Sequence, residues 1–156
     1  MTFADPELEA MVRATMGKPE GGITVAEAEA VTRLNLSVEW QRYISQVTPI
    51  QDIGGLEYFK NLENLNLSFH AITDITPLAG LKKLTSLSLG GNPVANIAPL
   101  AELTNLKGLT LSNCEAKGTV LFAFLYLHGI IWYNPFGGVK LCLGKPELKA
   151  QRNITM

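Results

Sequence analysis

Residues 72–93, ITDITPLAGLKKLTSLSLGGNP, run directly into residues 94–115, VANIAPLAELTNLKGLTLSNCE. Ile72, Ile75, Leu78, Leu81, Leu84, Leu87, Leu89 and Asn92 recur 22 residues later as Val94, Ile97, Leu100, Leu103, Leu106, Leu109, Leu111 and Cys114. The same frame run backwards gives Ile50, Ile53, Leu56, Phe59, Leu62, Leu65, Leu67 and His70. Three units in one register make the chain a solenoid, so its function is to be sought on a repeated surface.

Within the unit, Leu87 and Leu89 alternate with Ser86 and Ser88, which is the period of a short, half-buried strand. The remaining apolar positions fall three apart, a spacing that suits an irregular or 3₁₀-like return limb. Each repeat is therefore one coil, and stacked coils pair their strands in a parallel sheet that bends inward, on the concave side of the stack. A single coil cannot bury its own apolar row, so neighbours must share one core. Asn92 is placed to bond backbone groups of an adjoining coil. His70 and Cys114 take its place in the flanking units and can also bond, without the full set of partners an amide offers.

Upstream, Asp5-Pro6-Glu7 reads as a helix start: a capping carboxylate, a proline at the first helical position and an acid at the positive dipole end. Leu8, Met11 and Val12 share one face of this helix, with Met16 at its end, and Gly17 and Pro19 stop it. Thr24 and Glu27 form a capping-box pattern, which predicts a second short helix to about Val31. Leu34 and Leu36 repeat the strand spacing. From Leu34 to Leu65 is 31 residues rather than 22, so the first coil carries about nine extra residues around Trp40 and Tyr43. Those two aromatics either pack over the cap or stand out as anchors for a partner, the role in which Trp and Tyr dominate binding hot spots.

These residues resemble the bacterial leucine-rich repeat family, in its internalin-like class of 22-residue units reading approximately IxxIxPLxxLxxLxxLxLxxN. Residues 72–111 match nearly every position of that unit, Pro77 and Pro99 included. With the helical cap and the longer first coil, the resemblance extends over roughly residues 3–114. It implies an α/β leucine-rich repeat solenoid, with short parallel strands on the concave face, an irregular or 3₁₀ convex limb and an α-helical N-terminal cap. It also implies protein recognition on the concave sheet, at a bacterial cell surface or in a secreted protein.

If the strand leucines point inward, their alternates point out. The predicted concave surface is Arg33, Asn35, Ser37; Asn64, Asn66, Ser68; Ser86, Ser88, Gly90; and Gly108, Thr110, Ser112. It is small, polar and carries one charge, Arg33, so a merely solvated sheet is the competing reading. Four strands about 4.8 Å apart, each exposing about 10 Å, give roughly 190 Å². A standard interface takes about 800 Å² per partner. A protein partner therefore requires a longer array, or contributions from flanking residues such as Trp40, Tyr43, Phe69 and His70.

The 156 residues carry 13 basic and 14 acidic side chains, a net charge of −1, which gives no basic stripe for nucleic acid. Two cysteines make no disulfide framework. Nor does Met1 lead into a secretory signal in the chain as given. The charges are unevenly placed: residues 1–116 hold 8 basic and 13 acidic groups, residues 117–156 hold 5 and 1. Phe122, Phe124, Tyr126, Trp132, Tyr133 and Phe136, half of all the aromatics, also lie in this last stretch. Three zones result: a helical cap at 1–33, a repeat array at 34–116 with about four strands, and an anomalous apolar and basic tail at 117–156. The tail reads as a degenerate last coil, with Ile131 and Tyr133 in a fifth strand and Trp132 on the concave side, or as a segment foreign to the repeat. As a membrane span, residues 120–133 are too short.

No chemistry is expected. Cys114 and His128 lack a third orienting group, and there is no phosphate-binding loop, HExxH or calcium-loop pattern. Asp52 and Asp74 share a repeat position but are followed by Asn96, and read as solvated turn acids rather than as a metal ladder. No cofactor or metal is expected. Sequons at Asn35, Asn66 and Asn153 matter only in a glycosylating pathway. The expected function is a non-enzymatic protein-binding module, or else a structural segment of a longer array, whose open sheet edge would allow self-association.

Overall fold

A computed structural model of the chain describes residues 1–38, 48–112, 114 and the strand at 140–142. Trp40, Tyr43 and the expected strand at Ile131 and Tyr133 lie outside the described residues. Two helices, α1 (Pro6–Met16) and α2 (Val25–Glu29), lead into β1 (Arg33–Asn35), β2 (Asn64–Asn66), β3 (Ser86–Ser88), β4 (Gly108–Thr110) and β5 (Lys140–Cys142). These five strands form one sheet in sequence order. β1 to β4 pair in parallel with Leu34, Leu65, Leu87 and Leu109 in register. The 22-residue frame and the 31-residue first step were both legible in the leucine spacing. β5 departs from the repeat, pairing antiparallel with β4. One sheet edge expected to be open is thus occupied, leaving β1 as the other outer strand.

The apolar spacing of three has a direct backbone cause. Leu78 N–H donates to the Ile75 carbonyl, Leu81 to Leu78 and Leu84 to Leu81, each at 3.0 Å. Leu100, Leu103 and Leu106 repeat the series from Ile97, and Leu56, Phe59 and Leu62 from Ile53. The inward side chains therefore sit at successive closures of three-residue turns, where every third residue shares a face. Pro77 and Pro99 sit in the first turn of the 3₁₀ segments Thr76–Leu78 and Ala98–Glu102, where a missing N–H costs nothing.

The acids at the shared repeat position have a structural role in starting this limb. Asp52 Oδ1 accepts from Gly54 N–H at 2.7 Å, Asp74 Oδ1 from Thr76 N–H at 2.8 Å, and Asn96 Oδ1 from Ala98 N–H at 3.0 Å. The turn needs an oxygen on a short side chain, not a charge, which is why Asn96 can replace the two acids.

One core runs through cap and coils, from Leu8 and Val12 of α1 to Leu111. Asp5 caps α1 by accepting from Glu7 and Leu8 N–H, and Gly17 closes it in the left-handed region at φ 64. The predicted capping box is formed between Thr24 and Glu27. α2 ends at Glu29 with Ala30 as its cap, earlier than the expected Val31. The chain has to straighten by Thr32, whose carbonyl receives both Glu63 and Asn64 N–H at the mouth of β2.

Phe69 and Gly91 occupy the same repeat position in the left-handed region, at φ 65 and 72. A Cβ on Gly91 would come within 2.6 Å of Cδ1 of Phe69, so glycine is needed there both for the conformation and for the ring lying across it.

Candidate protein-binding face

The alternates of the strand leucines form three rows across the sheet. Arg33, Asn64, Ser86 and Gly108 are in register in the first row, and Asn35, Asn66, Ser88 and Thr110 in the second. Arg33, Asn35 and Ser86 are exposed, while Asn64, Asn66, Ser88, Gly108 and Thr110 are half-buried by their neighbours. A shallow depression of about 340 Å³ lies over β1 to β3, bounded by Arg33, Asn35, Asn64, Asn66, Ser86 and Ser88, with Leu34 and Leu65 at its floor. Six of the predicted concave residues therefore share one hollow.

The third row corrects the sequence reading. Ser68 is only 7% exposed. Its hydroxyl donates to Asn66 Oδ1 at 2.8 Å and lies 2.8 Å from the Ser88 hydroxyl of the next coil. Gly90 is buried as well, and a Cβ there would stand 2.9 Å from Ser112 Oγ. The strands converge on their turns at this end, so small residues are used as spacers and struts. Ser112, in the same row, is half-buried like Asn66, Ser88 and Thr110 of the second row and is not closed off.

Asn35 and Asn66 are held by the same local device. Asn35 Oδ1 accepts from the Ser37 hydroxyl at 2.8 Å and its N–H at 3.3 Å. Asn66 Oδ1 accepts from the Ser68 hydroxyl at 2.8 Å and its N–H at 3.1 Å. Each carbonyl end is thus fixed, and among the described residues neither NH2 group donates to the protein. The result is two oriented amide donors on adjacent strands, with the Arg33 guanidinium beside them. The signal for this was in the sequence as Asn-Leu-Ser at Asn35 and Asn66, where the spacing reads equally as a glycosylation sequon.

Beneath the strand ends runs the cross-coil ladder. Asn92 Nδ2 donates to the carbonyls of Leu67 at 2.7 Å and Leu89 at 2.9 Å, while Asn92 Oδ1 accepts from Ile72 N–H at 3.2 Å. His70 does the same between the first two coils, accepting from Ile50 N–H at Nδ1 (3.3 Å) and donating from Nε2 to the Leu36 carbonyl (2.6 Å). Cys114 Sγ donates to the Leu89 carbonyl at 3.2 Å, and burial pushes its thiol up from the ordinary range. His70 is 1% exposed, so it contributes rigidity and not contact surface to any interface.

Among solved structures, the chain is similar to the internalin InlF of Listeria monocytogenes, at 35% identity and a TM-score of 0.65 over 74% of this chain. It is similar also to internalin C2 of the same organism, at 32% identity and a TM-score of 0.66 over 79%. The chain is an internalin-like leucine-rich repeat protein. As an internalin-like chain it spans 32% of the InlF structure and 51% of the internalin C2 structure. Protein-family models and curated proteins give no match. Its capped solenoid is the form the repeat implied, and among the described residues no helix is long and apolar enough to cross a membrane.

Proposed function

We propose that this chain is a non-enzymatic protein-binding module of a bacterial surface or secreted protein, and that its partner seats on the concave hollow over β1 to β3. The observation that carries this reading is the pair of oriented amides, Asn35 and Asn66, flanked by Arg33, Asn64, Ser86, Ser88 and Thr110 on strands β1 to β4, whose leucines are buried. Donors held in place by their own turns lose little freedom on binding, which is how a plain polar surface gains affinity. Trp40 and Tyr43, in the enlarged first coil, supply the aromatic anchors that the sheet lacks.

The concave patch is small, roughly 190 Å² across four strands. That size favours a second reading, in which the chain is a structural segment of a longer array with no partner of its own. Capture of proteins from a host-cell surface extract separates the two. The wild-type chain and a variant carrying Asn35→Arg, Asn66→Arg and Ser88→Glu are immobilised side by side. A protein retained by the wild type and lost from the variant supports the binding module. Identical retained sets from the two support the structural segment.

A further inference from the structure

We infer that His70 makes the seam between the capped first coil and the rest of the array open in mildly acidic solution, while the later coils, joined by an asparagine, stay closed. Two bonds at His70 define its state. Ile50 N–H points at Nδ1, so that nitrogen must carry a lone pair, and Nε2 must carry the proton that goes to the Leu36 carbonyl. The ring is therefore neutral and ties Leu36, just past β1, to Ile50 at the start of the next limb, beside the backbone bonds from Leu36 N–H to Asn66 and from Ala71 N–H to Ile50. Protonation at Nδ1 replaces an acceptor with a donor facing a donor, and places a cation in a site that is 1% exposed.

Asn92, one coil later, makes the equivalent bonds to Leu67 and Ile72 with an amide that does not titrate in this range. The contrast between two equivalent joints is what localises the effect. Among the described residues, the charged groups acting on the ring are Asp5, which caps α1, and Glu7 in its first turn, both of which favour its cation. Burial outweighs both of them and the hydrogen bond to the Leu36 carbonyl, and holds His70 below the ordinary 6.5. Asp5 also receives Gln51 and Asp52 N–H beside Ile50, so cap, first coil and ring meet at one place.

The sign follows from that depression. An unfolded or opened histidine takes up its proton at higher pH than the closed one, so stability at the seam is complete above about pH 6.5 and falls below it. Carboxylates stay ionised down to about pH 5.5, which leaves a window belonging to the imidazoles.

Amide hydrogen exchange on the full chain, corrected for intrinsic rates, tests this between about pH 7.5 and about pH 5.5. The expected result is a loss of protection of about fivefold to tenfold at Ile50 and Leu36. Leu89 in the β3–β4 pairing should keep its protection, and His70→Asn should abolish the loss at the seam. Unchanged protection at Ile50, an equal loss at Leu89, or the same loss in His70→Asn would overturn the inference. A second measurement needs no change at the seam: in a His128→Gln chain the one remaining imidazole should titrate below 6.5, and a midpoint at or above that value contradicts it.

Discussion

Asn92 satisfies the Leu67 carbonyl and the Ile72 N–H, shares the Leu89 carbonyl with Cys114 Sγ, and is 1% exposed. Asn92→Leu leaves the Leu67 and Leu89 carbonyls and the Ile72 N–H without that partner. Stability should fall by about 3 kcal/mol, given a cost of about 1 to 3 for each buried group stranded, and urea unfolding would measure it. Cys114 occupies the same position with one bond, and Val94 N–H, equivalent to Ile72 N–H, finds no side-chain acceptor among the described residues. Cys114→Asn supplies both kinds of partner and should raise the urea midpoint by the equivalent of about 1 kcal/mol. The repeat frame made these three positions legible, since a period of 22 residues aligns His70, Asn92 and Cys114 in a column. What the sequence does not carry is the tautomer of His70, which depends on which backbone groups face each nitrogen. Phe69 at positive φ was equally hidden, because local preference argues against a bulky residue there.

Between residues and the whole fold, the joints at either end of each element decide how the coils are tied. Asp5 caps α1 and also receives two N–H groups from the first coil. Burial by itself raises its pKa, but these four backbone donors outweigh burial and hold it below the ordinary 3.8. Asp5→Ala should destabilise the cap by about 1 to 2 kcal/mol, the worth of a good N-cap. Because the folded group is held low, that contribution is present above about pH 3.8 and lost as the pH falls through the folded value. Thermal melts of the two chains should therefore converge in strong acid. At the opposite edge, Asn61 Nδ2 donates to the Glu29 carbonyl at 2.7 Å and Asn105 Nδ2 to the Lys82 carbonyl at 2.8 Å. Lys83 holds the equivalent position in the coil between them. Lys83→Asn completes this column and should add about 0.5 to 1 kcal/mol in chemical unfolding. The 3₁₀ limb and both helices were readable from spacing and capping chemistry. The end of α2 was not, since it is set by where β2 meets Thr32.

At the scale of the molecule, the sheet, its register and the inward leucines follow from the repeat, and so do the first two rows of the concave face. The third row does not, because alternation predicts direction and not crowding: Ser68 and Gly90 point outward and are still closed off by Ser88 and Ser112 of the next coil. β5 was unreadable for a different reason. It starts at Lys140, 32 residues after Gly108 at the start of β4 rather than the repeat's 22, and pairs antiparallel, outside any periodic rule. Over β1 to β3, the first two rows line the hollow on which we propose that a protein partner seats. The direct test is the dissociation constant, against a partner captured by the wild-type chain, of a concave variant, Asn66→Arg with Ser88→Glu, and a convex one, Ala98→Lys with Ala101→Glu, at exposed positions of the 3₁₀ segment Ala98–Glu102. The concave variant should bind at least about tenfold more weakly, or about 1.4 kcal/mol, while the convex variant stays within about twofold. Unchanged affinity in the concave variant, or a larger loss in the convex one, would contradict this seating.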